Sequence, residues 1–152
     1  MERVDIEKLL QDGNAICIKP QGYSMYPVLV PGRDEVIIKP VAGKKLRRGD
    51  VVLYRRKSGT EDGILVLHRI WRVKADGFYL VGDNQSEIEG PLLAEQIKGI
   101  MVAMNRKGNY IPVVNPVYRV LTGIWLWLRP LRPVISKTVA AVKRLWKKQE
   151  KK

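Results

Sequence analysis

A serine, a histidine and an aspartate in three separate parts of the chain have the chemistry of an acyl-transfer site. Ser24 lies in the segment GYSMYPVLVPG, between a glycine and a proline. A serine hydroxyl is a weak nucleophile at neutral pH, so it needs an adjacent base, and that base needs a group that orients it. His68 is the only histidine in the chain and the natural base near neutral pH. Asp83, in YLVGDNQ, supplies a carboxylate of the kind that holds an imidazole in one tautomer.

Each of these residues also has a purely structural interpretation. Ser24 can be an ordinary turn residue beside glycine and proline. His68 lies in ILVLHRIWRVK, on the same predicted face as Ile64, Val66 and Ile70, where an imidazole with a hydrogen-bond partner is a half-buried structural residue. An aspartate in a Gly-Asp-Asn turn commonly forms an Asx turn. Taken singly, the residues leave both interpretations open.

The segments that position these residues are predicted to be mainly β. Short β-rich runs separated by turn signals occupy residues 14 to about 114, and they read AICIK, EVIIK, VVLYRR, ILVLHRIWRVK, FYLV, GIMVAMN and YIPVV. Strands and helices do not alternate, so a parallel α/β sheet is not expected. Residues 4–12 favour a short helix that stops at Gly13. We therefore expect an antiparallel β body with a short N-terminal helix.

The composition changes after Asn115, which divides the chain into a catalytic β domain, residues 1–115, and a basic helical tail, residues 116–152. The net charge is +13, of which nine Lys or Arg and one Glu from Arg129 onward supply +8. Residues 134–148 are predicted to be helical, because apolar residues recur there at i, i+4, i+7 and i+11, namely Ile135, Val139, Val142 and Trp146.

The tail is expected to contact an anionic membrane surface. Trp125, Trp127 and Trp146, with flanking Arg and Lys, suit the interface between headgroups and acyl chains. The alternatives are a helix packed on the body with a solvated basic face, and an inserted helix through residues 117–135. Arg119, Arg129 and Arg132 disfavour insertion, and no stretch reaches the roughly 18 uncharged apolar residues of a spanning helix. We expect peripheral association, on a side of the membrane that the sequence leaves open.

Several other classes of site are excluded or disfavoured by composition. One cysteine and one histidine preclude a disulfide framework, a cysteine-rich zinc site and a multi-histidine metal site. We therefore expect neither a metal nor a cofactor. Cys17 lies in the apolar run AICI and is predicted to be a small core residue. Nucleic-acid binding would rest on charge alone, without a recognisable motif, and is not expected.

Four segments in order, GYSMYPVLVPGRDEVII, RRGDVVLY, LVLHRI and FYLVGDN, resemble the signal peptidase I family over residues 20 to about 100. That family carries Ser-Met-x-Pro at the nucleophile, Gly-Asp-Val-Val before a strand, a base followed by Arg, and a Gly-Asp-Asn turn. The resemblance implies a signal-peptidase-like β fold, with Ser24 as nucleophile and His68 as general base. Most bacterial members have a lysine as base. A histidine there is similar to the endoplasmic-reticulum-type branch.

The sequence departs from the family pattern in ways that bear on the site. The family normally has a second aspartate after Gly-Asp-Asn, where this chain offers only Glu87 and Glu89. We expect Asp83 to be the orienting carboxylate, with Glu87 as the alternative. Gly22 stands where bacterial members often have a hydroxyl, so backbone N–H groups around Ser24 are expected to form the oxyanion hole. Family members usually carry an N-terminal transmembrane helix, and MERVDIEKLLQDG has no such apolar segment.

The resulting prediction is a serine endopeptidase of the signal peptidase I type. It would remove leader or signal segments from peptide or protein precursors, with Ser24, His68 and Asp83 as the catalytic residues. The alternative is a non-catalytic scaffold on the same fold that binds peptides or associates with membranes.

Overall fold

A computed structural model of the protein describes residues 5–57 and 63–149. Within these ranges the elements follow one another along the chain as α1 (Ile6–Gln11), β1 (Ile16–Ile18), β2 (Asp34–Pro40), β3 (Val51–Arg56), β4 (Ile64–Lys74), β5 (Gly77–Val81), β6 (Ile88–Leu92), β7 (Ile97–Arg106), β8 (Asn109–Pro112), α2 (Pro116–Trp127) and α3 (Arg132–Gln149). Short 3₁₀ helices lie at Ala94–Gln96 and Arg129–Leu131.

The strands form one antiparallel sheet in the order β1-β2-β7-β3-β4-β5-β6, and β8 also pairs with β7. The prediction of a mainly β protein with a short N-terminal helix and a helical C-terminal tail is confirmed. The predicted helix over residues 4–12 corresponds to α1, and its first residue lies outside the described part of the chain.

Apolar side chains cover both faces of the sheet. Because side chains alternate along β3, Val51 and Leu53 pack in one buried cluster, and Val52 and Tyr54 pack in the other. A continuous apolar run such as VVLY is typical of a strand buried on both faces. β3 therefore lies inside the body, and the central residues of its neighbour β4, His68 to Ile70, are buried beside it.

Strand β6, IEGPL, was not predicted, because Gly90 and Pro91 interrupt its apolar pattern. The strand lies at the end of the sheet order, where a proline without an N–H is tolerated. Gly90 has a φ of 143°, and a Cβ there would lie 2.6 Å from the Phe78 carbonyl oxygen. Only glycine allows this close approach to β5. β6 carries Glu89, whose side chain is half-buried.

The prediction that Cys17 is a core residue is wrong, because its side chain is exposed. Alternation along β1 directs Ile16 into the core cluster, with Ile18 partly buried against it. The residue between them therefore points to the opposite side. The apolar run AICI was correctly interpreted as a strand, but only half of it faces the core.

The tail begins with a capped helix that packs on the body. The Asn115 side chain accepts hydrogen bonds from the N–H groups of Val117 and Tyr118 at the start of α2. The inner face of α2 buries Tyr118, Thr122 and Leu126. The predicted helix over residues 134–148 corresponds to α3. In the described ranges, no helix combines the length and apolar character required to cross a bilayer.

Candidate active site

His68 is held in one orientation by a neighbouring tyrosine. It lies in β4, directly across from its partner Val52 in β3, and only 1% of its surface is exposed. Its Nδ1 lies 3.1 Å from the Tyr54 hydroxyl oxygen. That hydroxyl donates to Glu89 Oε2 at 2.6 Å, and Nδ1 lies 3.6 Å from Glu89 Oε1. Imidazole, phenol and carboxylate therefore form one hydrogen-bonded series.

The carboxylate at the end of this series is ionised. Arg56 donates to Glu89 through Nε at 2.9 Å and also through Nη2. Burial alone would raise the pKa of Glu89, but hydrogen bonds from Arg56 and Tyr54 outweigh burial and lower that pKa. Burial, together with the hydrogen bond to Glu89, raises the pKa of Tyr54 well above its usual value. The Tyr54 hydroxyl therefore keeps its proton and donates it to Glu89.

The same contacts determine which nitrogen of His68 is basic. Because the Tyr54 proton is directed to Glu89, the Tyr54 oxygen is left to accept a hydrogen bond from Nδ1–H. Nε2 then carries the lone pair. Burial lowers the pKa of His68 by more than the Glu89 charge raises it. The imidazole is therefore neutral at neutral pH, in the tautomer that a general base requires.

Asp83, the expected orienting residue, is bonded to Arg69 and not to His68. Arg69 donates to both carboxylate oxygens at 2.8 Å, through Nε and Nη2, and to the Gly49 carbonyl at 2.8 Å. Arg69 and Asp83 are both fully buried. Burial disfavours the Arg69 charge, but the adjacent Asp83 carboxylate outweighs it and the pKa of Arg69 is raised. The two residues form a buried ion pair.

Strand geometry explains why Asp83 pairs with Arg69. Successive side chains of β4 point to opposite faces, so His68 and Arg69 project in opposite directions. The turn that carries Asp83 meets the Arg69 face. Glu87, the alternative from the sequence, is exposed, and the carboxylate that reaches His68 belongs to Glu89.

The Ser24 loop is fixed to the turn that contains Asp83. The Asn84 N–H donates to the Ser24 carbonyl oxygen at 2.8 Å. A Cβ at Gly82 would lie 2.7 Å from the same oxygen, so only glycine permits the approach. Met25 and Leu29 are buried and anchor the loop in the core. Ser24 itself is half-buried.

Asp34 provides a second anchor for this loop. Its carboxylate accepts hydrogen bonds from the Val30 N–H at 2.9 Å and from Arg106 at 2.9 Å, and Arg106 also donates to the Val28 carbonyl at 2.7 Å. Burial alone would raise the pKa of Asp34, but hydrogen bonds from Arg33, Arg106 and the Val30 N–H lower it to about 2. An ionised Asp34 therefore ties the loop to β2 and β7.

The loop presents backbone donors beside the serine. Among the described residues, the N–H groups of Ser24 and Met25 donate to no acceptor, whereas the Tyr26 N–H donates to the Tyr23 carbonyl at 3.1 Å. Free N–H groups next to a nucleophile are the usual components of an oxyanion hole. In the same described residues, the Ser24 hydroxyl and the His68 imidazole are not hydrogen-bonded to each other.

Residues of the tail complete the turn around Asp83. The Trp125 indole N–H donates to the Asp83 carbonyl at 2.8 Å, and Arg129 donates to the Ser86 carbonyl. Arg132 donates to the Gly82 carbonyl at 3.2 Å. Trp125, expected at a membrane interface, is therefore committed to the body. Trp127 is 71% exposed, and the Trp146 side chain lies outside the described residues.

Sequence reasoning missed Tyr54, Arg56 and the role of Glu89. Alternation along VVLYRR places Tyr54 and Arg56 on the face of Val52, which lies opposite His68. A tyrosine and an arginine on the strand face next to His68 could therefore have predicted that the imidazole has polar neighbours. Glu89 gave no such signal, because its strand was not recognised.

Comparison of the chain with protein-family models, with curated proteins and with solved structures found no match.

Breaking the buried Arg69–Asp83 pair is expected to destabilise the folded protein. In Arg69→Met the Asp83 carboxylate is left buried without its partner, and the free energy of unfolding should fall by about 3–5 kcal/mol. Removing both charges in Arg69→Met/Asp83→Leu should restore part of that loss. Urea unfolding followed by circular dichroism measures both variants.

Lys19→Met is the control, because it removes only the exposed Lys19–Glu35 contact at 3.8 Å and should leave stability nearly unchanged. An Arg69→Met variant as stable as Lys19→Met would contradict the role assigned to the buried pair.

Proposed function

We propose that the protein is a serine endopeptidase of the signal peptidase I type, which removes leader or signal segments from peptide or protein precursors. The observation that carries the proposal is the buried His68, whose pKa is lowered by burial and whose Nδ1 lies 3.1 Å from the Tyr54 hydroxyl oxygen, a contact that leaves Nε2 as the basic nitrogen. A further support is the Ser24 loop, which is anchored at both ends and, among the described residues, has free backbone N–H groups at Ser24 and Met25.

In the proposed reaction, Ser24 Oγ attacks the scissile carbonyl carbon and His68 Nε2 takes the hydroxyl proton. The N–H groups of Ser24 and Met25 stabilise the oxyanion. The amide C–N bond then breaks, and the imidazolium returns its proton to the leaving amine. Water repeats the sequence on the acyl-enzyme, again with His68 as base, and frees Ser24.

The orienting role belongs to Glu89 acting through Tyr54, in place of Asp83. When His68 is protonated, its Nδ1 lies 3.6 Å from the Glu89 carboxylate, so the ion formed during attack has a counter-charge close by. Asp83 becomes a positioning residue, because its partner Arg69 follows His68 in β4 and its turn binds the Ser24 carbonyl.

A non-catalytic peptide-binding scaffold is the second candidate. It is favoured by one observation, namely that Ser24 and His68 share no hydrogen bond in the described residues. Catalysis requires the two side chains to approach when substrate binds. Hydrogen bonds of this kind often tighten only in the substrate complex. Reactivity of Ser24 separates the two candidates.

The first prediction here is that Ser24→Ala abolishes cleavage of a leader-bearing peptide without changing the fold, because the nucleophile is lost. Ser86→Ala is the matched control, since Ser86 is an exposed serine near the same turn. Cleavage is followed by mass spectrometry and folding by circular dichroism. A folded Ser24→Ala protein that cleaves at the wild-type rate would remove Ser24 from the mechanism and favour the scaffold.

The second prediction concerns pH. Cleavage should fall as pH drops through the pKa of His68, because only the neutral ring is a base. Glu89 raises the pKa of His68, so Glu89→Gln should shift the acidic limb of the profile to lower pH. It should also lower the maximal cleavage rate at higher pH by about 10- to 100-fold, because the loss of one charge-assisted hydrogen bond raises the barrier by a corresponding amount.

Glu87→Gln is the control for this profile, because Glu87 is exposed and should change neither the acidic limb nor the maximal rate. An unshifted profile in Glu89→Gln, or the same shift in Glu87→Gln, would exclude Glu89 from the orienting role.

A further inference from the structure

A groove of about 650 Å³ lies between the loop that joins β2 to β3 and helix α2. Exposed basic side chains line one part of it, namely Lys44, Lys45, Arg47, Arg48 and, from α2, Arg119. Apolar side chains line another part, including Val114 and, from α2, Leu126 and Trp127. The groove therefore combines concentrated positive charge with an apolar wall.

The positive charge in this groove is uncompensated. In the described part of the chain, none of the five basic side chains forms an ion pair or a hydrogen bond. Among the described residues that line the groove, the one carboxylate is that of Asp50, which accepts a hydrogen bond from the Arg47 N–H at 2.8 Å. Arg56 and Arg69, by contrast, are each bonded to a carboxylate. The basic wall is therefore complementary to an anion from outside the chain.

The apolar wall continues onto the outer face of α2. That face is exposed and carries apolar side chains at helical spacing, namely Val117, Val120, Leu121, Ile124 and Trp127. The opposite face of α2 already packs on the body through Tyr118, Thr122 and Leu126. A helix that is apolar on both faces needs a second apolar environment. Trp127 belongs both to the outer face and to the groove.

We propose that this groove binds the headgroup of an acidic phospholipid. The phosphate lies against the basic wall, and the acyl chains follow the outer face of α2, so that the protein sits on the membrane as a peripheral protein. A phosphate diester joined to hydrocarbon chains matches both walls, whereas a nucleic acid would leave the aliphatic face of α2 in water. The basic side chains between residues 44 and 48, together with Arg119, recognise the acidic headgroup. This recognition adds to the general attraction between the basic tail and an anionic membrane that the sequence predicts.

The test uses the full chain and a lipid in its monomeric form. Dihexanoylphosphatidylglycerol is titrated below its micelle concentration, because a monomer has no membrane surface and can bind only to a site. Trp fluorescence and calorimetry should give saturable binding of one lipid per chain. Dihexanoylphosphatidylcholine, whose choline cancels the phosphate charge, and inorganic phosphate, which has no acyl chains, should bind at least about tenfold more weakly.

Two double variants with the same change in charge localise the site. Lys44→Gln/Arg47→Gln should weaken phosphatidylglycerol binding by about tenfold or more, and Lys137→Gln/Arg144→Gln in α3 should not change it. All four side chains are exposed, so folding is expected to be unaffected, with circular dichroism as the check. Absence of saturable binding, or an equal loss in the two variants, would overturn the proposal.

Vesicles separate the headgroup site from the membrane contact of α2. Leu121→Asn/Ile124→Asn should reduce co-sedimentation with vesicles of phosphatidylcholine and phosphatidylglycerol while keeping the monomer affinity within about twofold. Wild-type binding to pure phosphatidylcholine vesicles as strong as to the mixture would contradict the acidic headgroup. None of these variants touches Ser24 or His68, so peptide cleavage is measured independently of this outcome.

Discussion

The buried ion pair between Arg69 and Asp83 is the contact on which the arrangement of the site depends. Arg69 follows His68 in β4, and Asp83 lies in the turn that binds the Ser24 carbonyl through Asn84. The pair thus connects β4, the strand that carries His68, to the loop that carries Ser24. A buried pair of charges is tolerated only when its hydrogen bonds are satisfied, and here Arg69 donates to both carboxylate oxygens and to a backbone carbonyl. The tail closes the same turn through Trp125 and Arg132.

Because side chains alternate along β4, its two faces contact two different carboxylate–arginine pairs, and each pair has a separate structural role. On one face of β4, Glu89 and Arg56 hold Tyr54, which orients the His68 ring. On the other face, the Arg69–Asp83 pair fixes the turn and the loop. Hydrogen bonds from Arg56 and Tyr54 lower the pKa of Glu89 and keep it ionised, while burial lowers the pKa of His68 and keeps the imidazole neutral. A charged carboxylate can therefore lie near His68 while the imidazole stays unprotonated.

Most strands and the individual polar residues were predictable from local patterns, but the partners of those residues were not. Ser24 and His68 stand out in the sequence because a proline-bounded serine loop and a lone histidine are unusual in a β body. Asp83 was assigned to His68 because the sequence does not show which face of β4 the turn approaches. Glu89 was overlooked because Gly90 and Pro91 hide the strand that carries it. Cys17 was misplaced because a short edge strand buries only alternate residues.

The central claim is that His68 is a neutral base with its proton on Nδ1, and the chain's single histidine makes this measurable without assignment ambiguity. Nitrogen-15 NMR of the protein labelled at histidine distinguishes the two neutral tautomers and the imidazolium. At pH 7 we expect a neutral ring with a protonated Nδ1 and an unprotonated Nε2. In Tyr54→Phe that preference should be lost. A proton on Nε2, or an imidazolium at pH 7, would contradict the assignment of His68 as the general base.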